Sequence, residues 1–343
     1  MKLLMISFLF PLVIFFGACT KSSSSSDNSA PANLTVTTSV SADSSGNVSF
    51  VAYATNAVNY YFDFGDNTNQ SDSTGVITHK FAAIGTYNVN VIATSASGLS
   101  VSTSVQVLIK YVRTLLWSEE FNYTGAPDPA KWTYDIGNNS GWGNGESEYY
   151  TSRSNNVVVQ GGYLVITAKK ESYNGYNYTS ARLKTQGLYG FTFGRIEISA
   201  KLPSSAGTWP ALWMLGTNIN TAGWPTCGEM DIMEQKASQL NTIFGTVHYP
   251  GHSGGGGIGS TTVISNAATQ FHKYTLDWSA IAIKMYVDDN LYLTVPNNNS
   301  LPFNQNFFLL VNLAMGGTFG GSISPSFVSD NLYVDYILSL IHI

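Results

Sequence analysis

The stretch "CGEMDIMEQ", Cys227 to Gln235, sets Glu229, Asp231 and Glu234 among Met, Ile and Cys side chains. Only 11% of the chain is charged, yet three carboxylates fall within six positions here. No Lys or Arg alternates with them, which argues against a solvated surface strand. Successive side chains of a strand point to opposite faces, so Glu229, Asp231 and Met233 would share one face and Glu234 the other. One extra residue, a β-bulge around Ile232–Met233, returns Glu234 to the face of the first two acids. All three carboxylates then line one side of a sheet.

The rest of the chain suits that strand. Aromatic residues make up 13% of 343 residues, Gly numbers 32, and Asn, Ser and Thr runs are frequent. Such a composition predicts an all-β, extracellular, sugar-facing protein. The net charge of −5 comes without a basic stripe, so nucleic acid is not an expected partner. Strand-period alternation runs from Pro31 to Ile109 in "LTVTTSVS", "GNVSFVAYA", "TYNVNVIATS" and "VSTSVQVLI". These short strands predict a small N-terminal β-sandwich over 31–109. All seven tryptophans lie between Trp117 and Trp278. Strand patterns such as "NVVVQGGYLVITAKK" and "NFFLLVNLAMGG" continue there without a sustained helical period. One large two-sheet sandwich over 111–343 is expected, with a curved sheet whose concave face suits an extended sugar chain.

The N-terminus reads as a targeting segment. "MKLLMISFLFPLVIFFGAC" carries one Lys, a short apolar run with a proline, and small residues before Cys19. Residues 1–18 resemble a bacterial lipoprotein signal, which makes Cys19 the lipidated first residue of the mature chain. Residues 19–30 continue as a flexible Ser-rich tether. The expected location is the bacterial cell envelope, anchored to the outer membrane by lipid and exposed outside the cell, as a monomer. Cys227 is the only other cysteine, so no intramolecular disulfide is available.

Three acids on one concave face have a chemical use. In a retaining glycosidase one carboxylate attacks the anomeric carbon while a second, protonated, gives its proton to the leaving oxygen. The Glu229 and Glu234 backbones stand more than about 10 Å apart along a strand rising about 3.3 Å per residue. Curvature and inward-leaning side chains are expected to bring their tips to the ~5–5.5 Å such chemistry needs. Holding a Glu protonated at neutral pH requires a raised pKa, which the negative charges of the neighbouring acids are expected to supply.

"GEMDIMEQ" resembles the E-x-D-x-x-E signature of glycoside hydrolase family sixteen, in its laminarinase-like branch. The resemblance extends through "LLWSEEFN", "WGNGESEYYT", "YTSARLKT", "FGRIEISAKLP", "GTWPALWMLG", "GTVHYPG", "FHKYTLDWS" and "LAMGGTFGG", from Leu115 to Asp335. It implies a concanavalin-like β-jelly roll and endo-hydrolysis of β-1,3-glucan with retention. It makes Glu229 the nucleophile, Asp231 its helper and Glu234 the acid/base. Trp209 is expected as a sugar platform, while Trp213 fits either a platform or the core. Asn144 and Arg182 match positions that hydrogen-bond sugar, although Arg182 would also serve in a structural ion pair. His248 is expected near the acid/base, and Trp224 at the cleft edge or packed in its loop. No cofactor is implied for catalysis. A structural calcium is implied away from the chemistry, on Glu120, the Gly162 carbonyl and Asp335.

"YYFDFGDNTNQ" and "HKFAAIGTYNVNVIAT" resemble a PKD-type domain of immunoglobulin-like fold, here without tryptophan and read as a spacer. The ending "VDYILSLIHI" departs from the partly polar last strand of the family pattern, and the C-terminal end is read as truncated. Three functions follow: an endo-β-1,3-glucanase, a sister enzyme for mixed-linkage glucan or a galactan, and a non-catalytic glucan-binding lipoprotein. The intact acid trio argues against the last.

Overall fold

In Asn47–Thr55 every second side chain is buried: Val48, Phe50, Ala52 and Ala54 point inward while Val51 and Tyr53 face solvent. The computed structural model describes residues 29–41 and 45–342. The leader 1–18, Cys19 and most of the tether lie outside the described residues. The chain divides into two compact units, one ending at Val112 and one starting at Arg113.

The first unit holds a three-stranded sheet of Ala32–Val40, Asn47–Thr55 and Val76–Lys80. A four-stranded sheet orders Asn69–Asp72, Asn59–Asp63, Gly85–Thr94 and Ser100–Ile109. Both feed one core around Phe50, Phe62, Phe64, Phe81, Val89 and Val91. Val112 also packs into this core, so the boundary falls just beyond the Ile109 expected from alternation. In "DFGD" the Asp63 carboxylate accepts the Gly65 N–H at 3.1 Å, and Asp66 pairs with His79 at 2.7 Å. Gly65 has φ +74°, and a Cβ there would lie 2.6 Å from the Asn88 carbonyl oxygen. The motif therefore reads as a turn device.

The second unit stacks a seven-stranded sheet against a ten-stranded one. The smaller sheet orders Ile258–Val263, Thr242–His248, Glu229–Glu234, Thr208–Gly216, Phe307–Met315, Arg182–Lys184 and Thr133–Asp135, every pair antiparallel. Leu212, Met214, Met230, Ile232 and Val311 face the larger sheet and meet Ile196, Ile198, Tyr274, Leu276 and Val334 in a single core. Alternate residues of the same strands, Ala211, Trp213, Leu215, Phe308 and Leu310, form a second apolar layer on the other face. Both faces of the central strands are covered, which explains why "TWPALWMLG" and "FFLLVNLAM" read as continuous apolar runs. The final strand, Ser329–His342, lies between Tyr163–Tyr173 and Gly194–Lys201, and its end pairs with Arg113–Glu119. Within it Ser339 is buried and accepts the Tyr189 hydroxyl at 2.9 Å.

Candidate active site

The bulge expected from the parity of the three acids falls at Ile232. Leu212 pairs with Met233 and Trp213 with Asp231, which leaves Ile232 without a partner on that side. On the other side Asp231 pairs with Thr246 and Glu234 with Phe244. The bulge turns Ile232 and Met233 into the core and sets Glu229, Asp231 and Glu234 on the opposite face. Met233 therefore does not share the acids' face, as strict alternation would have it.

A second bulge fixes the first. On the Asn290–Pro296 strand, Leu293 pairs with Met285 and Leu291 with Tyr286, so Tyr292 is the extra residue. Its hydroxyl donates to the Ile232 carbonyl at 3.0 Å. Gly245, between the two partners of the bulged segment, makes room: a Cβ there would lie 2.3 Å from the Tyr292 hydroxyl and 2.7 Å from the Met285 sulfur. Gly245→Ala is expected to displace Tyr292 and leave the bulged carbonyl buried without a donor, a loss of about 1–3 kcal/mol. Tyr292→Phe removes the same donor without the clash and should lower the melting temperature less. Thermal unfolding of the two variants checks the order; equal stability to the parent in both would contradict the lock.

Each glutamate is held by an indole. Trp209 Nε1 donates to Glu234 Oε1 at 2.8 Å, and Trp224 Nε1 donates to Glu229 Oε2 at 3.1 Å. His248 Nε2 lies 3.2 Å from Asp231 Oδ2 and 3.9 Å from Glu229 Oε1. His248 thus touches the Glu229 end of the strand rather than sitting against Glu234. The antiparallel register explains this, since it opposes His248 to Glu229 and Phe244 to Glu234.

Burial is the first cause that raises all three acids above the ordinary carboxylate range. Neighbouring charge, the cause anticipated from sequence, comes second for Glu229 and Asp231; at Glu234 the only raising charge comes last and belongs to Glu146, outside the trio. Asp231 is raised further by Glu234. Glu229 is raised by Asp231 but eased back by His248 and Arg182. Glu234 is eased back by its indole donor and by His248. Of the three, Glu234 is raised least, because the Trp209 N–H and His248 both ease it back.

The remaining expected residues take different places. Trp209 is 9% exposed and Trp213 8%, whereas Trp224 is 48% exposed. Trp224 is therefore the open aromatic surface beside the acids, and Trp209 works mainly as a hydrogen-bond donor. Trp213 belongs to the apolar layer and donates to Asn312 Oδ1 at 2.8 Å. Arg182 pairs with Asp135 at 3.0 Å, and its guanidinium lies over the rings of Trp142 at 4.7 Å and Trp213 at 4.8 Å. The Asn144 side chain donates to Glu146 Oε1 at 3.2 Å.

The model of "Glycosyl hydrolases family 16" matches residues 144–336. The chain belongs to glycosyl hydrolase family 16. A second family model, "Beta-glucan synthesis-associated protein SKN1/KRE6/Sbg1", matches residues 45–229; it crosses the unit boundary and stops before Asp231 and Glu234. A "Beta-glucanase" of Rhodothermus marinus is 44% identical over 65% of this chain and 83% of its own length. The laminarinase structure from Rhodothermus marinus superposes with a TM-score of 0.65 at 43% identity, over 68% of this chain and 99% of that one. The catalytic domain of an endo-1,3-beta-glucanase (laminarinase) from Thermotoga petrophila gives a TM-score of 0.64 at 40% identity, over 68% and 99% of the two chains.

Beside the three acids runs a buried polar chain that sequence reading passed over. Asn312 Nδ2 donates to the Tyr150 hydroxyl at 3.1 Å, and that hydroxyl donates to Glu146 Oε2 at 2.8 Å. Glu148 is 0% exposed, and one oxygen accepts the Met315 N–H at 2.7 Å. Its other oxygen has no protein donor. The available signal was "GESEYY", where Glu146, Glu148 and Tyr150 share parity; their partners on a distant strand were not readable. Phe319 and Phe244, which pack edge to face at 5.1 Å, were missed as well; Phe319 lies 5.3 Å from Trp209.

Burial first, and then Glu146, hold the Glu148 carboxyl well above its ordinary value. A carboxyl that keeps its proton when folded and loses it when unfolded stabilises fully below the unfolded pKa of about 4.3. That contribution fades as pH rises toward the folded value. Glu148→Gln is neutral at every pH, so its stability relative to the parent should improve between acid and neutral pH. Urea midpoints at two pH values check this; a constant or opposite difference would contradict a buried neutral Glu148.

Proposed function

We propose that this chain is a retaining endo-β-1,3-glucanase that works by double displacement. The pair of indole-held glutamates flanking Asp231 on one face of a bulged strand carries the reading. Glu229 attacks the anomeric carbon and forms a glycosyl–enzyme ester, while Glu234 passes its proton to the departing glucosyl oxygen. Glu234, now charged, takes a proton from an incoming water, which releases the sugar from Glu229 with net retention. Burial keeps Glu234 protonated for the first step, and the Trp209 N–H steadies the carboxylate it becomes. Trp224 offers its face to a pyranose ring beside Glu229, and Asp231 helps orient the nucleophile. Trp213 and Arg182 act from the same face of the sheet, in the cross-strand rows of Asp231 and Glu234, and Asn144 acts beside Glu146. Arg182 is already matched by Asp135, so a sulfated galactan finds little free charge there.

The 31–109 unit is proposed as a PKD-type, immunoglobulin-like spacer. Its "DFGD" acids are consumed in the turn, which supports that reading. The leader and Cys19 are proposed to tether the enzyme to the outer membrane, facing outward. A structural calcium is proposed on Glu120, the Gly162 carbonyl and Asp335. The register supports it. Glu120 follows the strand paired up to Ile337, and Gly162 precedes the strand paired from Val334, so both approach the Asp335–Tyr336 segment. Asp335 is itself a bulged residue with no partner between Ser199 and Ala200.

Digestion of laminarin, lichenan, agarose and carrageenan with product sizing tests the proposal. Internal cleavage of laminarin to short oligosaccharides is expected; preference for lichenan would favour a mixed-linkage enzyme, and no cleavage would sink the enzymatic reading. A chain starting at Tyr111 should keep its turnover on soluble laminarin, and a loss beyond about tenfold, about 1.4 kcal/mol of barrier, would contradict the spacer.

A further inference from the structure

We propose that Glu229, Asp231 and His248 also form a site for a borderline-soft divalent cation, zinc being the reference case, which closes the cleft to sugar. Only the competition with sugar rests on the function proposed above; metal binding itself does not.

One ligand atom from each of the three residues lies within 4.8 Å of the others. The His248 Nε2 separations, 3.2 Å to Asp231 Oδ2 and 3.9 Å to Glu229 Oε1, bracket the ligand edge of a tetrahedral zinc site. Bonds of about 2.0–2.2 Å give such edges of about 3.3–3.6 Å. A second observation points the same way. The Asp231 side chain is 7% exposed, and its Oδ2, the atom facing His248, makes no well-formed hydrogen bond.

The surroundings orient the three donors. Trp224 occupies Glu229 Oε2 and leaves Oε1 toward His248. Gly257 lets the imidazole sit close, since a Cβ there would lie 2.4 Å from His248 Cε1. Glu234 is engaged by Trp209 and stays out of the set. One imidazole and two carboxylates suit zinc, copper or nickel, whereas calcium asks for six or more oxygens. His248 Nδ1 is buried without a partner, so the site lacks the outer hydrogen bond that tightens resident zinc sites. A reversible inhibitory site fits this better than a permanent one.

Calorimetric titration of the full chain with zinc ion alone tests the binding, and laminarin kinetics with zinc present test the competition. One zinc per chain is expected, weakened about tenfold or more in His248→Gln and in Asp231→Asn, two variants that guard against one failing to fold. Glu234→Gln and Cys227→Ala should bind as the parent does; buried Cys227 is the free thiol among the described residues. Zinc should raise KM and leave kcat unchanged, while calcium and magnesium do neither. Undiminished zinc binding in both His248→Gln and Asp231→Asn, or its loss in Cys227→Ala, would overturn the site. A falling kcat at constant KM would overturn the competition.

Discussion

Glu229→Gln is expected to lower kcat on β-1,3-glucan by about 10⁴-fold or more, the scale on which removal of a covalent nucleophile acts. That corresponds to about 5.4 kcal/mol of barrier. Gln keeps the volume and can still meet the Trp224 indole through its carbonyl oxygen. It supplies no anionic oxygen to form the ester, so substrate binding should survive while turnover vanishes. Steady-state kinetics with binding measured separately distinguish this from misfolding. If the variant retained a tenth of the parent's turnover, Glu229 would not be the nucleophile.

Glu234→Ala should cost about 10²–10⁴-fold on natural glucan, the range assigned to a positioned general acid. The loss should shrink with a donor whose leaving group departs without protonation. Azide then separates the two glutamates. With Glu234 removed, the ester on Glu229 still forms, and azide attacks it to give the β-glycosyl azide. With Glu229 removed by Ala, azide enters the vacated side in one step and gives the α-azide. NMR of the two products assigns the roles, and opposite anomers would exchange them.

Much of this site was legible because a strand's parity is unforgiving. Glu234 falls on the wrong face of "EMDIME" by strict alternation, and apolar Ile232 and Met233 show which residues must turn inward. What holds the bulge was not legible. Tyr292 and Gly245 come from two other strands, and Gly245 looks like any strand glycine until the phenol is seen in its place. Trp209 was read only as a platform, and Trp213 and Trp224 were each left between two places, for a similar reason. Sequence shows an indole but not whether its N–H faces a carboxylate. Trp209 and Trp213 are covered because Phe319 and the Ala211–Phe308 layer lie over their strand, while Trp224 stands on a loop and stays open. His248 was expected near Glu234; its charge does reach that acid, but strand order does not reveal that the antiparallel register sets it opposite Glu229. The acids Glu146 and Glu148 were in plain view, but their burial depends on Met315 and Asn312, more than 160 residues later in the chain.

The central claim is double displacement through Glu229 and Glu234, and the stereochemistry of the first product tests it most directly. Proton NMR of laminarin digestion, recorded before mutarotation scrambles the new reducing ends, resolves the two anomers. The account predicts that the β-anomer appears first and the α-anomer follows only by mutarotation. An α-anomer formed first would mean a single inverting displacement, and the assignment of Glu229 as nucleophile would fall with it.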